Sequence, residues 1–266
     1  MFCSINGETF YIYLYYMCYV IGIKIPKKQT IKIGSTVLDL DAIDIPVQSG
    51  FAYDHWPVIF KEPQEKEGSD NNTKSIIRPG LMHWELIPNW VRNEKELIES
   101  RKKYTTLNIK AETLLSNKVA QSTIHTKRCL VLASHFFEWQ QIEKEKYPHC
   151  ISIIESPLFY IAGVWNTWTN QNTGEEKNTF GIITTEANEL MSKIHNVKKR
   201  MPTILNEELA NSWVNDNLNE VQILELSKHQ IDNSKMKAHT VAKNFQQSTT
   251  PCDKVDYKIF TPQTLF

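Results

Sequence analysis

Two acid–base side chains, an amide and a thiol sit in short polar interruptions of apolar runs, where a purely structural chain places turns. Glu138 lies between Phe137 and Trp139 at the end of the apolar stretch RCLVLASHFFEW (Arg128–Trp139). If buried there, it is desolvated, and a desolvated carboxyl holds its proton to higher pH and suits general acid/base work. On the residues alone, a surface glutamate on an alternating strand is the commoner reading. His195, within TTEANELMSKIHNVKKRMP (Thr184–Pro202), follows an apolar helical stripe and precedes Lys198, Lys199 and Arg200. Its imidazole is expected near a helix C-terminus in a positive neighbourhood, the position of many helix-capping histidines as well as of catalytic ones. Asn108, in NIKAET (Asn108–Thr113), offers an amide donor and an acceptor that can hold a carbonyl or amine, or simply form a turn. Glu112 is expected to begin the next helix in an orienting or capping role. Cys18, with His195 and either Asn108 or Glu138, also supplies the parts of a cysteine-hydrolase triad.

Tryptophans and basic residues surround these segments. Trp84, Trp90, Trp139, Trp165 and Trp168 lie in or near them, and exposed indoles beside cations make stacking platforms for unpaired bases, although core packing is the commoner fate of Trp. Basic runs at Lys24 to Lys32, Arg101 to Lys103 and Lys198 to Arg200 can attract phosphate locally. Any such attraction is local, because 30 Lys plus Arg balance 30 Asp plus Glu.

The elements that must position these groups read mainly as strands. Cys129 to Ala133, His149 to Ile154, Leu158 to Val164 and Thr179 to Thr185 are β-branched or aromatic runs bounded by turn residues. Helices are expected over Glu186 to Ile194, around Leu205, Leu209 and Trp213, and from Asn219 to His229. Lys61 to Lys74 reads as a solvated loop, and the tail from Gln246 as irregular apart from an edge strand at Tyr257 to Phe260. With 266 residues, 41% hydrophobic, 9 Gly and 11 Pro, the chain has enough core to fold without disulfides or a structural metal. Cys3, Cys18, Cys129, Cys150 and Cys252 are scattered, with no CxxC pair, which reads as free thiols in a reducing, cytoplasmic setting. The longest apolar run, Phe10 to Ile23, is shorter than the roughly 20 residues a membrane-crossing helix needs.

MHWELIPNW (Met82–Trp90), NIKAET, RCLVLASHFFEW and TTEANELMSKIHNVKKRMP, together with Met17-Cys18-Tyr19, occur in the order and approximate spacing of the SOS response-associated peptidase (SRAP) family. The chain resembles that family from Met17 to about Asn244. The resemblance implies an α+β fold: a β-dominated single domain with a curled, barrel-like mixed sheet around a positive groove, and peripheral helices. It frames residues 17–245 as the domain, 61–74 as a loop insertion, 1–16 as an extension that is a mis-called start or a removed segment, and 246–266 as a tail packed on or trailing the domain. The implied activity is covalent capture of abasic sites in single-stranded DNA, with associated peptidase-type self-processing and without cofactor or metal.

The resemblance also implies the site. Its catalytic residues are Cys18, Asn108, Glu138 and His195, and its DNA contacts are Lys110, Trp84, Pro88, Trp139, Arg200, Met201 and Pro202. Lys110 replaces the family's usual arginine, which keeps a point charge and loses the bidentate fork. Val197, Lys198 and Lys199 separate His195-Asn196 from Arg200-Met201-Pro202, where many relatives have no residues between. The family nucleophile is a cysteine at the mature N-terminus. Cys3 stands behind Phe2, whereas Cys18 directly follows Met17 and opens a segment like the family's first strand, so the resemblance assigns Cys18. An N-terminal cysteine is a 1,2-aminothiol: its α-amine condenses with an aldehyde, and its thiol closes a thiazolidine ring on the imine. Two other functions use the same residues: a Cys–His hydrolase, and a non-enzymatic single-stranded nucleic-acid binding module.

Overall fold

A computed structural model of the chain describes residues 4–5, 8–9, 19–62, 76–154, 156–215 and 217–260. A short antiparallel pair, β1 (Ser4–Ile5) and β2 (Glu8–Thr9), precedes β3 (Val20–Ile25), the hairpin β4 (Gln29–Ile33) and β5 (Thr36–Leu40), and β6 (Ile43–Ser49). Next come β7 (His55–Glu62), β8 (Ile76–Trp84), α1 (Glu94–Arg101) and β9 (Asn108–Lys110). The central run is β10 (Arg128–Ala133), β11 (His135–Ile142), β12 (Glu145–Ile153), β13 (Phe159–Thr169) and β14 (Glu176–Glu186). Helix α2 (Glu189–Ile194), β15 (Arg200–Pro202), β16 (Ile204–Leu205), α3 (Glu207–Asn215), α4 (Glu220–Ser227) and β17 (Met236–Thr240) complete the order.

Five strands close on themselves. The order β8-β7-β10-β13-β14 returns to β8 through the parallel register Thr179↔His83 and Phe180↔Trp84, while the other four pairings are antiparallel. Closure leaves no free edge among these five, and it covers both faces of β10, all six of whose residues are buried. Trp213 of α3 lies fully buried against this barrel, its indole N–H shared between the Cys129 and Gly163 carbonyls at 3.1 Å each. The α+β, strand-dominated, barrel-like expectation is met.

A second sheet, β17-β12-β11-β3-β6, is wholly antiparallel and lies over the barrel. Alternation along β11 sends Phe136 into the main core, with Ile21, Ile23 and Ile151, and sends Phe137 to a separate cluster on the other face, with Val20, Cys150, Val241 and Phe245. Gly22 has to be glycine: a Cβ there would lie 2.0 Å from Nε2 of His135, its cross-strand partner.

The four named strand runs are all strands, and the three helix regions are helices that start later, Asn188 and Asn219 serving as N-caps. One expectation is trimmed and one fails. Lys61 and Glu62 of the expected 61–74 loop belong to β7, with Lys61 Nζ bonded to the Asn215 carbonyl at 2.8 Å, and the rest of that loop lies outside the described residues. Tyr257 to Phe260 is not an edge strand: Lys258–Phe260 is a 3₁₀ turn whose rings lie on the sheet, with Tyr147 5.0 Å from Tyr257 and 5.3 Å from Phe260. The edge contact falls earlier, at Val241↔Lys254. No described helix is long and apolar enough to cross a membrane.

Candidate active site

Glu138 is fully buried on the core-facing side of β11, opposite His149. Nδ1 of His195 is 3.8 Å from its Oε1, and neither carboxylate oxygen accepts a well-aligned hydrogen bond from a described residue. Burial pushes the carboxyl up to about 7, and the His195 ring and the Trp139 N–H offset only part of that. The expectation that this glutamate is desolvated is therefore met, and its surface alternative is excluded.

Three pieces of local structure hold His195 there. Asn188 caps α2 by accepting from the Met191 N–H at 2.9 Å, and His195 ends the helix with its own N–H on the Met191 carbonyl. Asn196 then exchanges two hydrogen bonds with the Gln141 backbone, at 3.0 and 2.7 Å, which ties the segment to β11 three residues beyond Glu138. Val197, Lys198 and Lys199 are absorbed by a turn, with Lys199 in the left-handed region at φ 51° and its N–H on the His195 carbonyl at 2.7 Å. The turn brings the Arg200 carbonyl to 2.9 Å from His195 Nδ1. A carbonyl can only accept, so Nδ1 carries the proton and Nε2 is the nitrogen that exchanges one.

Arg200 sits on β15 beside Glu186 of β14, buried, with both terminal nitrogens paired and Nε without a hydrogen-bond partner among the described residues. Its guanidinium donates to Glu112 Oε1 at 2.6 Å and to the Thr184 carbonyl at 2.5 Å. Burial raises the Glu112 carboxyl, but the Arg200 hydrogen bond and charge outweigh it and hold the group below its ordinary range. Glu112 does open a short 3₁₀ helix, Ala111–Ser116, as expected. Asn108 is buried on β9, in parallel register with Ile182 of β14, so it is a strand residue and not a turn. Two residues on, Lys110 pairs with Thr184 and is exposed.

The structure thus brings Glu138 and His195 together, and links Asn108, Lys110 and Arg200 through β14. Cys18 lies outside the described residues, as do Cys3 and most of the 1–16 extension. Tyr19 is described: it accepts the Gly50 N–H at 2.7 Å, and the register Phe137↔Val20 sets it beside Glu138.

Several expected DNA contacts are not on the surface. Trp84 is fully buried, stacked on Phe180 at 6.1 Å, its N–H on the Leu107 carbonyl at 3.1 Å. Pro88, Met201 and Pro202 are also buried, and Arg200 is buried with its two terminal nitrogens turned to Glu112 and Thr184. Trp139 is half-buried against Phe245 at 5.8 Å, while Trp90, in the same motif as Trp84, is 51% exposed. Only burial, which motif spacing does not report, separates Trp84 from Trp90. Trp84→Ala should cost about 3–5 kcal/mol of stability in urea unfolding; unchanged stability with lost DNA affinity would restore the surface reading.

The profile of the SOS response associated peptidase (SRAP) family matches residues 51–248 of this chain, a span that includes Asn108, Glu138 and His195. The chain belongs to the SRAP family. Among its relatives, the abasic site processing protein YoqW of Bacillus subtilis (strain 168) is 35% identical over 172 residues, 64% of this chain and 72% of that protein. The abasic site processing protein HMCES of Xenopus tropicalis is 28% identical over 218 residues, 74% of this chain and 62% of that protein. A crystal structure of a Bacteroides thetaiotaomicron protein superposes with a TM-score of 0.68 at 32% identity, covering 79% of this chain and 84% of that one. In this SRAP chain Glu138 lies on the sheet that β3 opens, and His195 meets it from the end of α2.

That pair has a measurable thermodynamic signature. The folded protein keeps the Glu138 proton up to about pH 7, whereas the unfolded chain releases it near the ordinary 4.5. Between those values only the folded state holds the proton, so stability falls as pH rises, by about 3 kcal/mol in all, and levels off above 7. Glu138→Gln should remove that slope: in urea titrations the variant should match wild type near pH 4.5 and exceed it near pH 7.5. Equal stability at both pH values would show that the carboxyl is not desolvated in solution.

Proposed function

We propose that this SRAP chain captures abasic sites in single-stranded DNA as a thiazolidine formed by Cys18 once Met17 and the residues before it are gone. The observation that carries the reading is the buried Glu138–His195 pair beside Tyr19, the residue joined directly to Cys18. The relatives' description as abasic site processing proteins supports the substrate.

An abasic deoxyribose opens to an aldehyde. His195, exchanging a proton at Nε2, assists ring opening. The Cys18 α-amine adds to the aldehyde carbon, and Glu138 delivers the proton that lets the resulting hydroxyl leave as water, giving an imine. The thiol then adds across the C=N bond, its proton passes to the nitrogen, and the five-membered ring closes; the net change is loss of one water. Asn108 holds the amine and sugar in register. Exposed Trp90 and half-buried Trp139 offer ring faces to unpaired bases, and Lys110 offers a phosphate contact. Peptidase-type removal of the residues before Cys18 uses the same nucleophile and acid–base pair.

The test is a denaturing gel after incubation with an abasic-site oligonucleotide. A slower band that survives denaturant is expected, absent with intact DNA. Catalytic turnover of a peptide without that band would instead favour a Cys–His hydrolase, and binding without any covalent species a nucleic-acid binding module.

A further inference from the structure

The outer face of the five-stranded sheet carries a second thiol cluster that the capture chemistry does not use. Cys150 on β12 stands between Phe137 of β11 and His239 of β17 in the cross-strand register. Over this face runs the C-terminal segment, anchored by Phe245 stacked on Phe137 at 4.3 Å and by the Val241↔Lys254 bridge. That segment brings Cys252 onto the same apolar cluster as Cys150. Packed there, the Cys252 sulfur interacts electrostatically with both the Cys150 thiol and the His135 imidazole. The His239 Nε2–H donates to the Cys252 carbonyl at 2.6 Å and fixes the turn that presents the sulfur. His135 donates Nε2–H to the Pro46 carbonyl at 2.7 Å, so its Nδ1 is the nitrogen that serves Cys252. Cys150 and Cys252 are both reduced, Cys150 buried and Cys252 part-exposed.

We propose that Cys252 and Cys150 form a redox centre, distinct from the capture nucleophile Cys18, in which a small hydroperoxide oxidises Cys252 and Cys150 resolves it to a disulfide stapling the C-terminal segment onto β12. The Cys252 thiolate attacks the O–O bond of the hydroperoxide and takes its terminal OH as sulfenic acid, releasing hydroxide from hydrogen peroxide or alkoxide from an organic hydroperoxide, which a proton neutralises. The Cys150 sulfur then attacks the Cys252 sulfur, forming S–S and releasing water with the Cys150 proton. Sulfur loses two electrons in all and the peroxide gains them.

The surroundings divide the labour between the two thiols. Interaction with Cys150 and His135, with the nearby charges of His135 and His239, overcomes burial and draws the Cys252 thiol well below its ordinary range. Interaction with Cys252 and burial push Cys150 the other way, and Lys237 opposes them weakly, so Cys150 stays neutral. Burial lowers the His135 imidazole, but the Cys252 sulfur, the Pro46 carbonyl and Asp44 on β6 together raise it above its ordinary range. A part-exposed thiolate beside a protonated resolving thiol is the arrangement that oxidises selectively.

The test uses the full chain with Cys3→Ser and Cys18→Ser, so that only Cys129, Cys150 and Cys252 remain. A slight molar excess of hydrogen peroxide, followed by thiol blocking and non-reducing peptide mapping, should give a Cys150–Cys252 crosslinked peptide that a dithiol reductant removes, with Cys129 still reduced. Adding Cys150→Ser should arrest Cys252 as a sulfenic acid trapped by dimedone. Without further substitution, alkylation of Cys252 should rise far less steeply between about pH 6 and 8 than that of an ordinary thiol, which speeds up about tenfold per unit over that range. Both cysteines still reduced after peroxide, or a Cys252 alkylation rate climbing like an ordinary thiol's, would overturn the proposal.

Discussion

A chain that begins at Cys18 should form a denaturation-resistant adduct with an abasic oligonucleotide, and the same chain retaining Met1 to Met17 should form none. The difference is chemical and not one of affinity. A free α-amine has a pKa of about 7.7–8.0, so an appreciable fraction is neutral and nucleophilic near neutrality. In the longer chain that nitrogen is a peptide amide whose lone pair is delocalised into the carbonyl, and it does not add to aldehydes. Cys18→Ser separates the two halves of the aminothiol: the amine still condenses, but no thiol remains to close the ring, and imines hydrolyse during denaturation. The expected adduct mass is protein plus oligonucleotide minus one water. Undiminished adduct from the longer chain, with Met1 still present by intact mass, would mean that another nucleophile does the work.

How much of this was readable beforehand depends on the distance over which each feature is encoded. The strands of the barrel were visible because their signal is local: a run such as CLVLA has nowhere to go but a doubly covered strand. Glu138 was ambiguous locally, since its neighbours Phe137 and Trp139 face the opposite side of β11, and what buries Glu138 is the barrel beneath the sheet. For Asn108 a turn stays open as the alternative to a binding amide, because β9 has three residues and exists only through its pairing with β14. The Arg200–Glu112 pair joins residues 88 apart, and Cys252 reaches Cys150 through the returning C-terminal segment, so spacing in the sequence announced neither. Motif resemblance found the chemistry but could not sort tryptophans, because Trp84 and Trp90 lie in one motif and only packing sends the first inward.

Glu138→Gln should slow adduct formation by about 10²–10⁴-fold, the usual worth of a positioned general acid–base group, while leaving affinity for the DNA nearly unchanged. Glutamine keeps the shape of the side chain and loses the transferable proton. The pH profile distinguishes this role from mere packing. Wild-type protein needs a neutral α-amine, favoured as pH rises towards 8, and a protonated Glu138, favoured below about 7, so its rate should pass through a maximum between the two. In the variant the falling limb should vanish, and its low residual rate should keep rising until the amine is fully neutral. Unfolding offers no way out of a negative result, because removing a buried carboxyl is expected to make the protein more stable at that pH, not less. A variant that forms adduct at the wild-type rate, or that retains the falling limb, would take the proton-shuttle role away from Glu138 and leave His195 as the acid–base group of the site.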